Sequence, residues 1–211
     1  MSSLDYRIIN IPYIPNSEIE SKAAGFREQY WDGKIPVNIE RIIEIKLKMN
    51  IVPVKNMNEY CDADALISSN WENIFVDEGM FVDERYLDRL RFSFAHELGH
   101  FNMHKKLYET FDIRAVSDFY RFISEIDEKQ YGYLETQANK FACALLLPRE
   151  MLIADANKLY NILSSELDVG NVELAAVINA YIAKPIALKY GVSDYCAEIA
   201  LNSIRNKENG G

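Results

Sequence analysis

Ten residues, Arg91-Phe92-Ser93-Phe94-Ala95-His96-Glu97-Leu98-Gly99-His100, constrain this chain more than any other stretch. They set an H-E-x-x-H pattern inside an apolar run with helical spacing. On an α-helix, positions i and i+4 point the same way one turn apart. His96 and His100 therefore offer two imidazoles to one metal ion, at about 2.0–2.1 Å each for zinc. Glu97 lies roughly 100° round the helix from His96, beside a water on the ion rather than on the ion itself, where a general base is wanted. Phe94, Leu98 and Phe101 follow i, i+4, i+7 and give the helix a face to bury. The plainer reading is a buried helix that carries these residues by chance, since short motifs recur without function. Against it, the chain has only three histidines, all between positions 96 and 104. The pattern implies a zinc-dependent peptidase site.

At 211 residues the chain is long enough for one domain with a smaller appendage. Its 49% apolar and 26% charged residues match ordinary globular composition. The formal net charge of −9 argues against nucleic acid as a direct partner, because phosphate neutralisation needs clustered Lys and Arg. The segment Met1-Ser2-Ser3-Leu4-Asp5-Tyr6-Arg7 lacks the basic and apolar regions of a secretory leader. No apolar run approaches the ~18 residues of a membrane span, so no membrane partner is expected. Cys61, Cys143 and Cys196 are scattered, odd in number and form no C-x-x-C pair, which argues against a disulfide framework. The expected compartment is the reducing cytoplasm.

Taken in order, residues 1–15 read as an extended arm, with Pro12 and Pro15 among isoleucines. Ser17 is the expected cap of a helix over Glu18–Trp31, closed by Asp32-Gly33. A second helix is predicted from Ile39 to Met49, with Ile39, Ile42, Ile43 and Leu47 on one face. Ile51–Val54 reads as a short strand that Pro53 assigns to an edge. Ala65–Ser68 and Asn73–Asp77 are predicted strands, Glu78-Gly79 a turn and Phe81–Asp83 a third short strand. A small sheet just before the H-E-x-x-H helix has a possible use, since an open strand edge binds peptide through main-chain hydrogen bonds. Covering the helix is the plainer use.

His104 lies one turn past His100, but about 12 Å from His96 along the axis, too far for one ion to reach both on an unbroken helix. It reads as a supporting or helix-end residue. Residues 105–134 are polar, charged and aromatic, an insertion of helical or loop character. In Glu135–Pro148, Ala138, Phe141, Ala142 and Leu145 follow i, i+3, i+4, i+7, and Pro148 should end the helix. Small Ala138 and Ala142 permit a close approach to the first helix. Glu135 is then either the third ligand of a two-histidine, one-glutamate site with a position left for water, or a solvated acid at the positive end of a helix. Spacing leaves both open.

The two stretches together, Arg91–His100 and Glu135-x-x-Ala138-Asn139-x-Phe141-Ala142-x-x-Leu145-Leu146-x-Pro148, resemble the ImmA/IrrE family of metallo-endopeptidases. The resemblance is firm over about 91–148 and weaker back to Ile35-Pro36-Val37-Asn38-Ile39-Glu40. It implies a zincin-like fold with His96, His100 and Glu135 as zinc ligands and Glu97 as catalytic acid/base. It also implies a protein substrate of the kind that characterised members cleave, a helix-turn-helix repressor. Two departures stand out. The gap between His100 and Glu135 is long and charged, so a different lid over the site is expected. No helix-turn-helix precedes the catalytic part, so a repressor substrate is expected to be a separate polypeptide.

These readings combine into an α+β fold, mainly helical, with a small mixed β-sheet before the H-E-x-x-H helix. The domain expected over 1–150 carries the site, and 151–211 form a helical C-terminal segment. Pro185–Ala200 has the cadence of a helix-turn-helix, with Gly191 in the turn and Ser193 as cap. Its second helix opens on Asp194-Tyr195 rather than on base-reading residues, so a packing or partner-binding unit is expected there. Asn206–Gly211 read as a frayed tail. Manganese and iron(II) share the donor preference and stay open beside zinc. Two other functions also stay open: a non-cleaving regulator that sequesters a repressor, and a DNA-binding protein with a structural zinc. Tyr108, Tyr131 and Tyr133 are the tyrosines considered as oxyanion donors.

Overall fold

A computed structural model describes residues 5–167 and 172–208. Contact density divides the chain into two compact units, Met1–Asp32 with Asn38–Leu145, and Gly33–Val37 with Leu146–Gly211.

The first unit opens on an arm. A single 3-10 turn, Tyr6–Ile8, is capped by the Asp5 carboxylate, and residues 9–15 carry no regular structure. The arm is nevertheless tied down: Tyr6 is buried and donates to the Phe111 carbonyl, and the Ile11 N–H donates to Gln130 Oε1 at 2.7 Å. Helix α1 (Asn16–Tyr30) buries Ile19, Ala23 and Phe26. Its cap is Pro15, whose carbonyl takes the N–H groups of Glu18 and Ile19, so the predicted cap Ser17 lies inside the helix. The predicted Ile39–Met49 helix is shorter. Helix α2 (Ile39–Arg41), capped by Asn38 Oδ1, widens into a π turn over Ile42–Lys46. Lys48 then adopts a left-handed φ of 59°, a conformation that does not continue a helix.

Three strands follow, β1 (Asn50–Val54), β2 (Ala65–Ile67) and β3 (Asn73–Asp77), with helix α3 (Met57–Cys61) between the first two. The order is β1-β3-β2, with β1 parallel and β2 antiparallel to β3, which makes the sheet mixed. Pro53 sits on an edge strand, as its missing N–H requires. At the other edge, β2 buries all three residues. Just beyond it, the Ser69 N–H donates to the Ile113 carbonyl and the Ile113 N–H returns a bond to Ser69 Oγ.

The turn and third strand predicted over 78–83 are replaced by helix α4 (Glu78–Phe81). The cause is Asp77, whose Oδ1 accepts the Met80 N–H at 3.1 Å and starts a helix where β3 ends. Helix α5 (Leu87–Met103) carries the H-E-x-x-H residues and buries Leu90, Phe94, Ala95 and Leu98. The stretch 105–134 is largely helical: α6 (Lys105–Phe111), α7 (Val116–Glu125) and the start of α8 (Glu128–Leu146). Helix α8 thus begins seven residues before Glu135 and stops ahead of Pro148.

The second unit contains α9 (Arg149–Leu167), α10 (Val172–Tyr190) and α11 (Asp194–Glu208). Gly191 takes a φ of 62° between α10 and α11, and Ser193 Oγ accepts the Cys196 N–H at 3.2 Å. The turn and cap predicted there are both present. The predicted tail is helical through Glu208, and residues 209–211 lie outside the described residues. No described helix is long and apolar enough to cross a membrane.

Candidate metal centre

Helices α5 and α8 approach closely because their sequences permit it. A Cβ added at Gly99 would stand 3.1 Å from the Ala138 Cα, 3.2 Å from its carbonyl oxygen and 3.3 Å from the Phe141 Cβ. Those contacts are tight and two of the three are backbone, so a side chain at Gly99 would have to push α8 back by a few tenths of an ångström. His100 follows Gly99 directly, and Glu135 lies three residues before Ala138. The crossing therefore carries the imidazoles of one helix to the carboxylate of the other.

The three groups face one another. His96 Nε2 and His100 Nε2 are 2.9 Å apart. Glu135 turns one oxygen to each ring, Oε2 to His96 at 3.2 Å and Oε1 to His100 at 3.5 Å. Four ligands at about 2.0–2.1 Å around a tetrahedral ion are separated by about 3.3–3.4 Å, close to these spacings. His96 Nδ1 meets Asn139 Oδ1 at 2.8 Å. An amide oxygen only accepts, so that contact puts the ring hydrogen on Nδ1 and leaves the Nε2 lone pair facing the cluster. Two nitrogens and a carboxylate are the donor set of a catalytic rather than a structural zinc site. The residues fit the ion.

Glu97 is the other carboxylate near the rings, and His96, Glu97 and His100 also lie within 4.8 Å of one another by ligand atoms. Its geometry differs from that of Glu135. Glu97 Oε1 is 3.9 Å from His96 Nε2, and Oε2 accepts the Ile67 N–H of β2 at 2.7 Å. A carboxylate held by a strand amide beside the cluster suits a base better than a ligand.

The charge balance points the same way. Burial by itself would raise the Glu135 pKa, but its contacts with the His100 and His96 rings hold it well below the usual carboxylate range. Burial would keep His96 neutral, yet Glu135, then Glu97 and Asn139, outweigh it and raise the imidazole to about 9. His100 is lowered, chiefly by burial. Glu97 is raised to about 7, first by burial and further by Glu135, against the pull of His96. The cluster stabilises positive charge between its donors. A proton on His96 answers that demand in part, and His96, His100 and Glu135 would together answer it by holding a divalent ion.

The three tyrosines divide. Tyr108 is fully buried with its ring 5.0 Å from that of His100. Tyr131 stands one turn before Glu135, and its pKa is raised by burial and then by the charges of Glu135 and Glu97. Tyr133 is 45% exposed and stacks under Lys129. Sequence reasoning gave no role to Asn139 or Gln137. The available signal for Asn139 was its position four residues after Glu135, on the same helix face. The Ile67 contact is a backbone one and leaves no side-chain signal. His104 closes α5 as its C-cap and meets His100 Nδ1 at 3.0 Å.

A comparison with curated proteins returns no match. The chain does match the IrrE N-terminal-like domain, a peptidase family, over residues 78–194, more than half its length. That span contains α5 and α8 whole. With the H-E-x-x-H helix, the crossing at Gly99 and the carboxylate of Glu135 all inside the matched region, this chain belongs to the ImmA/IrrE family of metallopeptidases.

Proposed function

We propose that the protein is a zinc-dependent endopeptidase that cleaves a helix-turn-helix repressor, relieves repression by doing so, and acts in the cytoplasm. The observation that carries the reading is the meeting of His96, His100 and Glu135 across α5 and α8, with Glu97 beside them on the amide of β2. His96, His100 and Glu135 would hold the ion. When bound, it supplies a Lewis acid that polarises the scissile carbonyl and acidifies the attacking water. Glu97 takes the water proton at a carboxylate oxygen and passes it to the leaving amine. A pKa raised to about 7 suits both halves of that transfer, because the group gains and loses a proton at similar cost near neutrality. Tyr131, in the field of both carboxylates, is the tyrosine we favour as the oxyanion donor.

The repressor substrate rests on the family's characterised members, and the compartment on three scattered cysteines without a pairing pattern in the sequence. The test is incubation or co-expression with helix-turn-helix repressors encoded beside the gene, with the parent protein, Glu97→Gln and a chelator-treated sample. Shortening of one repressor by the parent alone is expected. Binding without shortening favours the sequestering regulator, and salt-dependent duplex binding favours the DNA-binding reading.

A further inference from the structure

Beyond the ligands lies a buried chain of polar contacts that runs from His100 to the N-terminal arm. Its direction can be worked out from one end. The Pro12 carbonyl can only accept, so Gln137 Nε2 donates to it, at 2.8 Å. Gln137 then presents Oε1, also only an acceptor, to His104 Nε2 at 2.9 Å. The His104 hydrogen is therefore on Nε2, and the neutral ring keeps a lone pair on Nδ1. That lone pair lies 3.0 Å from His100 Nδ1, which must supply the hydrogen. With its hydrogen on Nδ1, His100 aims an unprotonated Nε2 at His96 and Glu135. One assignment satisfies all three contacts.

We propose that His104 is a positioning residue, which fixes the tautomer and ring orientation of His100 through a relay that ends on the carbonyl of Pro12. The inference rests on reading His100 as a metal ligand. Its parts are where such a device needs them. His104 is one turn beyond His100 on α5, and both are buried, at 4% and 1% exposure. Gln137 is also buried and comes from α8, the helix that carries Glu135. The arm is held at two adjacent residues, by Gln130 at Ile11 and by Gln137 at Pro12. Gln130 and Gln137 are two helical turns apart on α8 and share a face. A ligating histidine usually donates its other ring N–H to a carboxylate, a carbonyl or water. Here a second histidine accepts it, and the glutamine and the arm keep that histidine in its accepting form.

The test has two readouts that do not need turnover. In the metal-free protein, long-range 15N–1H spectra of the three histidines should show hydrogen on Nδ1 of His100 and on Nε2 of His104. Zinc affinity is measured by chelator competition on the parent, His104→Phe, His104→Asn and His100→Ala. His104→Phe keeps the ring volume and removes the acceptor, and should weaken zinc about 10–100-fold, as loss of such partners does. His104→Asn places Oδ1 where Nδ1 stood, and should bind within a few-fold of the parent. Hydrogen on Nδ1 of His104, or unchanged zinc affinity in His104→Phe, overturns the proposal. If His100→Ala binds zinc like the parent, His100 is not a ligand and the proposal falls with that reading. If His100→Ala loses zinc while His104→Phe keeps it, only the positioning role falls.

Discussion

Two helix pairs in this protein use small residues but leave different things between them. In the C-terminal unit, α10 buries Ala183 and Ala187, and α11 buries Ala197 and Ala200. Among the described residues they also bury Ile182, Ile186, Tyr190, Cys196, Leu201 and Ile204, with an amide contact from Asn179 Nδ2 to Asn202 Oδ1 at 3.0 Å. In the N-terminal unit, α5 and α8 cross at Gly99 and Ala138, and beside that crossing Glu97, His100, His104 and Gln137 are buried. The first arrangement follows from apolar burial, about 25 cal/mol per Å2. The second works against it, since burying ionisable groups costs several kcal/mol unless each is answered by a partner. The difference sets the pair that carries the proposed site apart from the pair that only packs. Between α5 and α8 ionisable groups are kept inside, and there every polar group named has a contact that orients it.

The comparison can be broken most sharply at Glu97. Replacing it by glutamine should leave zinc content as in the parent and lower peptide hydrolysis by roughly a hundred- to ten-thousand-fold, the range of a lost general acid/base. Metal analysis and a turnover assay on the same sample decide it. Glu135→Ala should instead lose zinc, by more than the roughly 10–100-fold seen for outer partners. Retained zinc would remove Glu135 from the ligand set.

Acid should distinguish the pairs next. Burial first, then the neighbouring His100, lower His104 to about 3 from an ordinary 6.5. The unfolded chain therefore binds a proton at this residue below pH 6.5 that the metal-free folded chain refuses down to about pH 3, and stability falls as pH falls through that window. Glu97 and His96 are raised and act the other way: they lose stability as pH rises, Glu97 from 4.5 to about 7 and His96 from 6.5 to about 9. Unfolding free energy against pH for the parent and for His104→Phe isolates the His104 part, which should vanish in the variant. All three histidines lie within 96–104, so hydrogen-exchange protection of α5 should respond to this loss before that of α10 and α11.

Smaller effects follow. Gly99→Ala forces a methyl against the Ala138 backbone and should destabilise by about 1–3 kcal/mol, offset in part by the ~1 kcal/mol helix preference of alanine. Thermal unfolding and zinc affinity should both drop. The double change of Asn179 and Asn202 to leucine should move stability by less than about 1 kcal/mol, because removing both partners of a hydrogen bond leaves nothing unpaired. A large loss there would mean that the C-terminal pair also depends on polar specificity.

The local chemistry was legible before any coordinates. H-E-x-x-H spacing places two imidazoles on one helix face, and the alanines and phenylalanine after Glu135 describe a second helix that can come close. The strands at 65–68 and 73–77 read correctly because β-branched and aromatic residues alternate with turn signals. The stretch 78–83 did not. Its apolar residues suit strand or helix, and the choice passed to one side chain, the Asp77 cap.

What the sequence determines by itself is thus each residue's place on its own helix or strand, because backbone periodicity is a local property. It puts two imidazoles on one helix face with an acid beside them, and leaves the third group open. Only the tertiary structure decided which of many acids meets the imidazoles, since His100 and Glu135 are 35 positions apart and converge through the packing of Gly99 on Ala138. It also decided that Glu97 rests on a strand amide, and that His104 and Gln137 link the cluster to an arm more than eighty residues upstream. Those contacts depend on the directions of lone pairs and hydrogens across the fold, which no spacing along the chain encodes.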